Sequence, residues 1–125
     1  MKTVKGITLA EVLLAVAILA FALTGLLMIF INCIFLNDAN RNLTIACTHA
    51  QFAMEEIKNT DFASIASQTW DNATIISKGL VPLDSESIII TVTETEPLDV
   101  LVTLNWKDRG VRDRRTALET LITEP

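Results

Sequence analysis

The apolar positions of this chain change rhythm twice. From Val12 to Leu36, 25 consecutive residues carry no charge, and Thr24 and Asn32 are the only clearly polar ones. The run is rich in Leu, Ala and Ile and holds no proline. A hydrocarbon core about 30 Å thick is crossed by about 20 apolar helical residues, so the run predicts a membrane-spanning helix and argues against a soluble single-core protein. Beyond Asn37 the pattern becomes one-sided. Leu43, Ala46, Cys47, Ala50, Ala53, Met54 and Ile57 recur at three- and four-residue steps, with Asp38, Arg41, Gln51, Glu55 and Lys58 available for the opposite face. That spacing is the signature of an amphipathic helix. A single helix from about Ile7 to Lys58 is expected, about 78 Å long at ~1.5 Å per residue. Gly25 is a place where it loosens, since glycine costs about 1 kcal/mol against alanine inside a helix.

Asn59-Thr60-Asp61 reads as the helix end, and Phe62 to Leu80 as an irregular connector whose Phe62, Ile65, Trp70, Ile75 and Ile76 pack on the helix. The last third switches to period two. Ile88, Ile90 and Val92 alternate with Ile89, Thr91 and Thr93, and Leu98, Val100, Val102, Leu104 and Trp106 alternate with Asp99, Leu101, Thr103, Asn105 and Lys107. Such β-branched alternation predicts strands, with turns at Glu94 to Pro97 and at Asp108-Arg109-Gly110. A third strand is expected from about Arg112 to Ile122, its Arg114, Arg115 and Glu119 suited to an exposed edge. The fold class is therefore α+β: a long N-terminal spine helix, transmembrane in its first half, with a small three-stranded antiparallel sheet packed on its distal half. The expected organisation is a leader over 1–6, a transmembrane and assembly half over 7–36, and a soluble domain over 37–125. That domain divides into an amphipathic helix over 37–58, a connector over 59–86 and a sheet over 87–122.

With 125 residues, the chain has room for one membrane segment and one small domain. Its formal charge of −5 is unevenly placed: Lys2 and Lys5 precede the apolar run and the acidic excess follows it. Basic residues on the short N-terminal flank predict a cytoplasmic N-terminus and a translocated C-terminal bulk. Loss of residues 1–6 would leave 8 basic against 15 acidic residues, or −7. So acidic a domain offers no general electrostatic footprint for nucleic acid. Arg109, Arg112, Arg114 and Arg115 form a local patch, read as a charged edge that discourages strand pairing. Cys33 and Cys47 stand 14 positions apart. On one helix that is about 21 Å, beyond the ~7 Å limit for a disulfide. Both read as small packing residues, with a disulfide between subunits as the alternative.

Little points to an enzyme or to a cofactor. His49 is the only histidine, and Cys47 lies two positions away on a different helix face, which suggests neither a nucleophile pair nor a metal site. His49 reads as a surface or packing residue. Glu55, Glu56, Glu94 and Glu96 read as solvated surface, and the Asn-X-Thr triplets at Asn42 and Asn72 as chance matches.

The most informative stretch is Gly6-Ile7-Thr8-Leu9-Ala10-Glu11. A glycine follows a basic leader, and a lone carboxylate stands four residues after Ile7 at the head of the apolar run. Taken singly, each residue has a plain reading: Gly6 as a flexible start, Thr8 as an N-cap, Glu11 as a first-turn acid favoured by the helix dipole. Together they resemble the prepilin-peptidase site of type IV pilins and type II secretion pseudopilins: glycine, a hydrophobic residue, Thr or Ser, two apolar residues and glutamate. Ile7 stands where that pattern usually has phenylalanine. The resemblance implies cleavage between Gly6 and Ile7 by a membrane-embedded prepilin peptidase and N-methylation of Ile7. It also implies assembly with other pilin or pseudopilin subunits on an inner-membrane platform, where Glu11 pairs with a neighbour's terminal amine to set register and Thr8 belongs to the same motif. A charged carboxylate in a bilayer costs at least about 2.5–3.5 kcal/mol unless paired.

The resemblance extends to Ala46, Ala50-Gln51, Met54-Glu55-Glu56-Ile57, Val102, Trp106 and Leu118-Glu119-Thr120-Leu121-Ile122, which look like minor members related to the PilV and GspI groups. The C-terminal disulfide loop frequent in that family is absent from this sequence, as is the helix proline of many major pilins; both absences point to a minor subunit. The machine served (secretion, twitching or adhesion, or DNA uptake) is left open. Two rival readings remain. One is a cleaved signal peptide using Ala15-Val16-Ala17 or Ala20-Phe21-Ala22. The other is an uncut signal-anchor protein with a small periplasmic binding domain.

Overall fold

The computed structural model describes residues 6–93 and 95–124. Met1 to Lys5, which make up most of the expected leader, lie outside that range, as do Glu94 of the expected β-turn and Pro125. A 50-residue helix α1, Leu9–Lys58, comes first. It is followed by a 3-10 turn at Phe62–Ser64, strand β1 at Gln68–Trp70 and a short helix α2 at Asn72–Ser77. Strands β2 (Ser87–Val92), β3 (Leu98–Asp108) and β4 (Arg112–Ile122) complete the chain. The chain divides into two compact units, one up to Asp38 and one from Ala39 onward.

Among the described residues of the first unit, α1 is the only element. Every described residue up to Asp38 is exposed, including Leu13, Leu14, Leu19, Phe21, Leu27 and Phe30. This is one long apolar helix near the N-terminus, with the length and composition to cross a membrane. It is compatible with a single-pass membrane protein. The helix runs through Gly25 without interruption. Thr24 Oγ1 donates to the Ala20 carbonyl at 2.8 Å, so the one hydroxyl in the run is satisfied within the helix, as an apolar solvent demands.

The second unit holds the core. From α1 it takes Ala46, Ala50, Ala53, Met54 and Ile57, from the sheet Trp70, Ile88, Ile90, Val100, Val102, Leu104 and Trp106, and from α2 Ile75. The three alanines are fully buried, and their small side chains let sheet residues fill the space over the helix at close-packed density. The sheet is an antiparallel meander in the order β1-β2-β3-β4. Its register sets Ile88 opposite Leu104 and Ile90 opposite Val102, so the even-numbered residues share the buried face. β3 and β4 pair over their whole length, from Leu98 with Ile122 to Asp108 with Arg112. The expected β4 and its place at the sheet edge are both present.

Three expectations need correction. The sheet has four strands rather than three, because Gln68–Trp70, inside the expected irregular connector, pairs with Ile88–Ile90. Three residues carry no readable alternation; pairing to the β2 edge and burial of Trp70 make them a strand. The connector also contains α2, six residues that are too few to show a helical period. Asp71 starts it, accepting from Thr74 N at 2.8 Å and Thr74 Oγ1 at 2.7 Å. This helix buries Ile75 and leaves Ile76 exposed. Finally, Cys33 is exposed and Cys47 half-buried, so only Cys47 packs within this chain. Leu43 is likewise exposed.

Candidate processing and assembly site

α1 begins at Leu9 rather than at Ile7 because Thr8 caps it. Glu11 reaches back from the first turn: its Oε2 accepts from Thr8 N at 2.8 Å and from Thr8 Oγ1 at 2.9 Å. In return, Glu11 N donates to Thr8 Oγ1 at 3.3 Å. This reciprocal arrangement, threonine at the cap and glutamate three residues on, is a capping box. It satisfies two of the amide donors that a helix N-terminus otherwise leaves without partners. Thr8 and Glu11 thus already meet within one chain, a contact that the Thr-x-x-Glu spacing makes legible in the sequence.

Gly6 and Ile7 lie just ahead of the cap, outside the helix and exposed. A Cβ added at Gly6 would meet nothing within 4 Å. Packing among the described residues therefore places no demand for glycine there. The Gly6–Ile7 peptide bond sits in non-helical backbone, the form in which a peptidase can take a chain into its cleft.

The second unit contains two polar clusters that sequence reasoning missed. His49 is buried rather than on the surface: its Nδ1 lies 2.7 Å from Glu86 Oε1, and the side chains are 7% and 0% exposed. With Glu86 ionised, Nδ1–H is the donor. Glu86 Oε2 accepts from Leu83 N at 2.5 Å, so the carboxylate ties α1 to the segment before β2. His49 lies three residues after Ala46 and four before Ala53, on the buried stripe, which was a usable signal. Nothing in the sequence singled out Glu86.

The other cluster centres on Asp108, at the end of β3. Its Oδ1 accepts from Asn42 Nδ2 at 2.9 Å and from Trp106 Nε1 at 3.2 Å, and its Oδ2 from Arg114 Nε at 3.0 Å. The Asn42 hydrogen bond, helped by those from Trp106 and Arg114, holds the Asp108 carboxyl below its usual range against the opposing effect of burial. Asn42 belongs to one of the Asn-X-Thr triplets, and its amide is engaged here. Lys78 pairs with Glu56 and lies 4.3 Å from the Trp70 ring centroid, closing the other side of the unit. Glu56 is therefore partnered, whereas Glu55 and Glu96 are exposed as expected. Among the described residues, no three His, Cys, Asp or Glu side chains are grouped to hold a metal ion.

No protein-family model, curated protein or solved structure matches this chain.

Proposed function

We propose that this chain is a structural subunit of a type IV pilin-like fibre. In this reading it is made as an inner-membrane precursor with its N-terminus in the cytoplasm, cut between Gly6 and Ile7, N-methylated at Ile7, and assembled through α1. It acts as a minor subunit of a pilus or of a type II secretion pseudopilus, with prepilin peptidase, the assembly platform and other subunits as its partners.

One observation carries the reading. The first 28 residues of α1, up to Leu36, bury nothing within the chain, yet Glu11 stands at their head. An apolar surface exposed all round needs an apolar solvent, and either lipid tails or neighbouring helices serve. Its single carboxylate makes sense if a cation arrives, and cleavage after Gly6 would create one four residues away. Two further facts support processing: the Gly6–Ile7 bond lies outside the helix, and no packing constraint among the described residues requires glycine at position 6.

The capping box favours a second reading, the uncut signal anchor, because it gives Thr8 and Glu11 an occupation that needs no neighbour. Intact mass of the chain purified from membranes separates the two. Loss of Met1 to Gly6 with one added methyl supports the fibre subunit. A full-length chain, with or without Met1, sinks that reading in favour of the anchor.

A further inference from the structure

We propose that the β3–β4 hairpin, residues 107–115, is a membrane-contact loop that binds anionic phospholipid headgroups beside the point where the chain leaves the bilayer. The inference rests on the membrane reading of the apolar run and adds a second, reversible contact to it.

Charge comes first. Lys107, Arg109, Arg112, Arg114 and Arg115 set five cations against Asp108 and Asp113, a local balance of +3 in a chain whose total is −5. The remainder of the chain thus carries −8. Of the two acids in the loop, Asp108 faces inward, its side chain 11% exposed and engaged by Asn42, Trp106 and Arg114. A third acid, Asp84, stands nearby: its backbone carbonyl accepts from Lys107 N, and its carboxylate lies 3.5 Å from where a Gly110 side chain would begin. The cations still outnumber the acids around the loop.

Shape comes second. Arg109 and Gly110 both take left-handed backbone, at φ 54° and 68°, and Val111 N closes the turn on the Asp108 carbonyl at 3.1 Å. The turn leaves Val111 82% exposed at the tip, with Arg112 exposed beside it. An apolar tip between arginines suits the bilayer interface, where the apolar group enters the acyl boundary and the guanidinium groups stay with the phosphates. A shallow cleft of about 320 Å³, lined by Lys107, Arg114 and Arg115 and also by Asp113, opens on the strands below the tip and is large enough to admit a phosphate headgroup.

Tethering decides between lipid and other polyanions. The Asn42–Asp108 hydrogen bond fixes the base of the hairpin to α1 only six residues after Leu36, the last of the apolar run. Six residues reach at most about 20 Å in any conformation. The tether keeps the loop within reach of one polyanionic surface at high effective concentration. A nucleic acid would have to arrive from solution against the acidic remainder of the chain.

The test uses the full chain with Cys33→Ser, Cys47→Ala and Val111→Cys, the last carrying an environment-sensitive fluorophore. It is reconstituted into vesicles of phosphatidylcholine alone or of phosphatidylcholine with phosphatidylglycerol. The expected result is a blue shift on the anionic vesicles that high salt reverses. Adding Arg109→Glu and Arg112→Glu should lower the bound-to-free ratio of the loop by at least about thirty-fold, with flotation of the chain unchanged. Water-like emission on both vesicle types while the chain floats overturns the inference and leaves the membrane reading standing. So does a shift produced by duplex DNA and not by lipid. A chain that fails to float overturns both.

Discussion

Replacing His49 by alanine should cost the second unit about 2–3 kcal/mol, because it leaves Glu86 Oε1 buried with no donor. The structure sets the size of the effect. The Glu86 side chain is fully buried and the contact is 2.7 Å, so the imidazole is the partner that Oε1 loses. Taking the donor from a buried acceptor costs about 1–3 kcal/mol, towards the upper end for a carboxylate oxygen. A unit of about 87 residues, Ala39 onward, has a total stability of about 4–13 kcal/mol at ~0.05–0.15 per residue. The loss is therefore a large fraction of the whole. Glu86→Gln should cost less, about 1 kcal/mol. Its amide oxygen keeps the Leu83 N–H, and its NH2 group donates to Nδ1 of the imidazole tautomer that carries its proton on Nε2. The assay is urea unfolding of the full chain in detergent micelles, followed by tryptophan emission. The chain contains no tyrosine, and Trp70 and Trp106 are both buried in the second unit, so the signal reports that unit alone. A loss below about 1 kcal/mol for His49→Ala, with an unchanged urea dependence, would refute the pair as a stabilising contact.

Three further outcomes follow from the same geometry. Gly6→Arg should accumulate uncut precursor in the membrane, seen as a chain six residues longer by intact mass; normal maturation of that variant would end the processing proposal. Glu11→Gln keeps the capping box, since glutamine serves at that position, but removes the charge. It should be processed normally and enter fibres poorly, and normal incorporation would take the register role away from Glu11. Asp108 has a folded pKa below its ordinary value, as does Asp71, whose carboxylate accepts first from the Thr74 hydroxyl and then from its amide. The stabilisation is thus complete above the unfolded value of about 3.9 and drains away as pH falls through the lower folded values. Urea midpoints should hold from neutral pH to about pH 4 and then drop, and Asp108→Asn should flatten that drop. An acid slope unchanged by the substitution would clear Asp108 of the role.

The elements that could be read from sequence were those long enough to repeat their period. α1 shows its apolar and amphipathic halves over many turns, and β3 and β4 have 11 residues each. β1 and α2, at three and six residues, complete less than two periods, and only contact with β2 and the core defines them. Similarly, Thr8 and Glu11 meet across three residues and their contact is local, so spacing reveals it. The His49–Glu86 and Asn42–Asp108 contacts join residues 37 and 66 positions apart. Register places them, and a single sequence does not display register between helix and loop. His49 shows the difference: its residue type allows a surface or a packing place, and its position on the alanine stripe puts it inside.

On the proposed reading, Glu11 bears more on assembly than its single charge suggests, because the apolar half of α1 supplies so little direction. Nineteen large apolar side chains from Ile7 to Leu36 are exposed. At ~1.5–3 kcal/mol for each one buried, their transfer from water is worth roughly 30–55 kcal/mol. That exceeds the whole stability of the second unit several-fold, so the helix cannot pass through water and must move directly from lipid to protein. In that exchange the apolar term nearly cancels, since lipid tails are as apolar as leucine. What remains is helix packing and whatever polar contact exists in the fibre but not in the bilayer. Within one chain Glu11 is already satisfied by Thr8, so the fibre must offer more than the cap does, and a cationic amine does so where a neutral donor would not. A subunit cut but left with a neutral N-terminus, by acetylation for instance, should therefore behave like Glu11→Gln and stay in the membrane. Efficient assembly of such a subunit would show that packing alone drives the transfer.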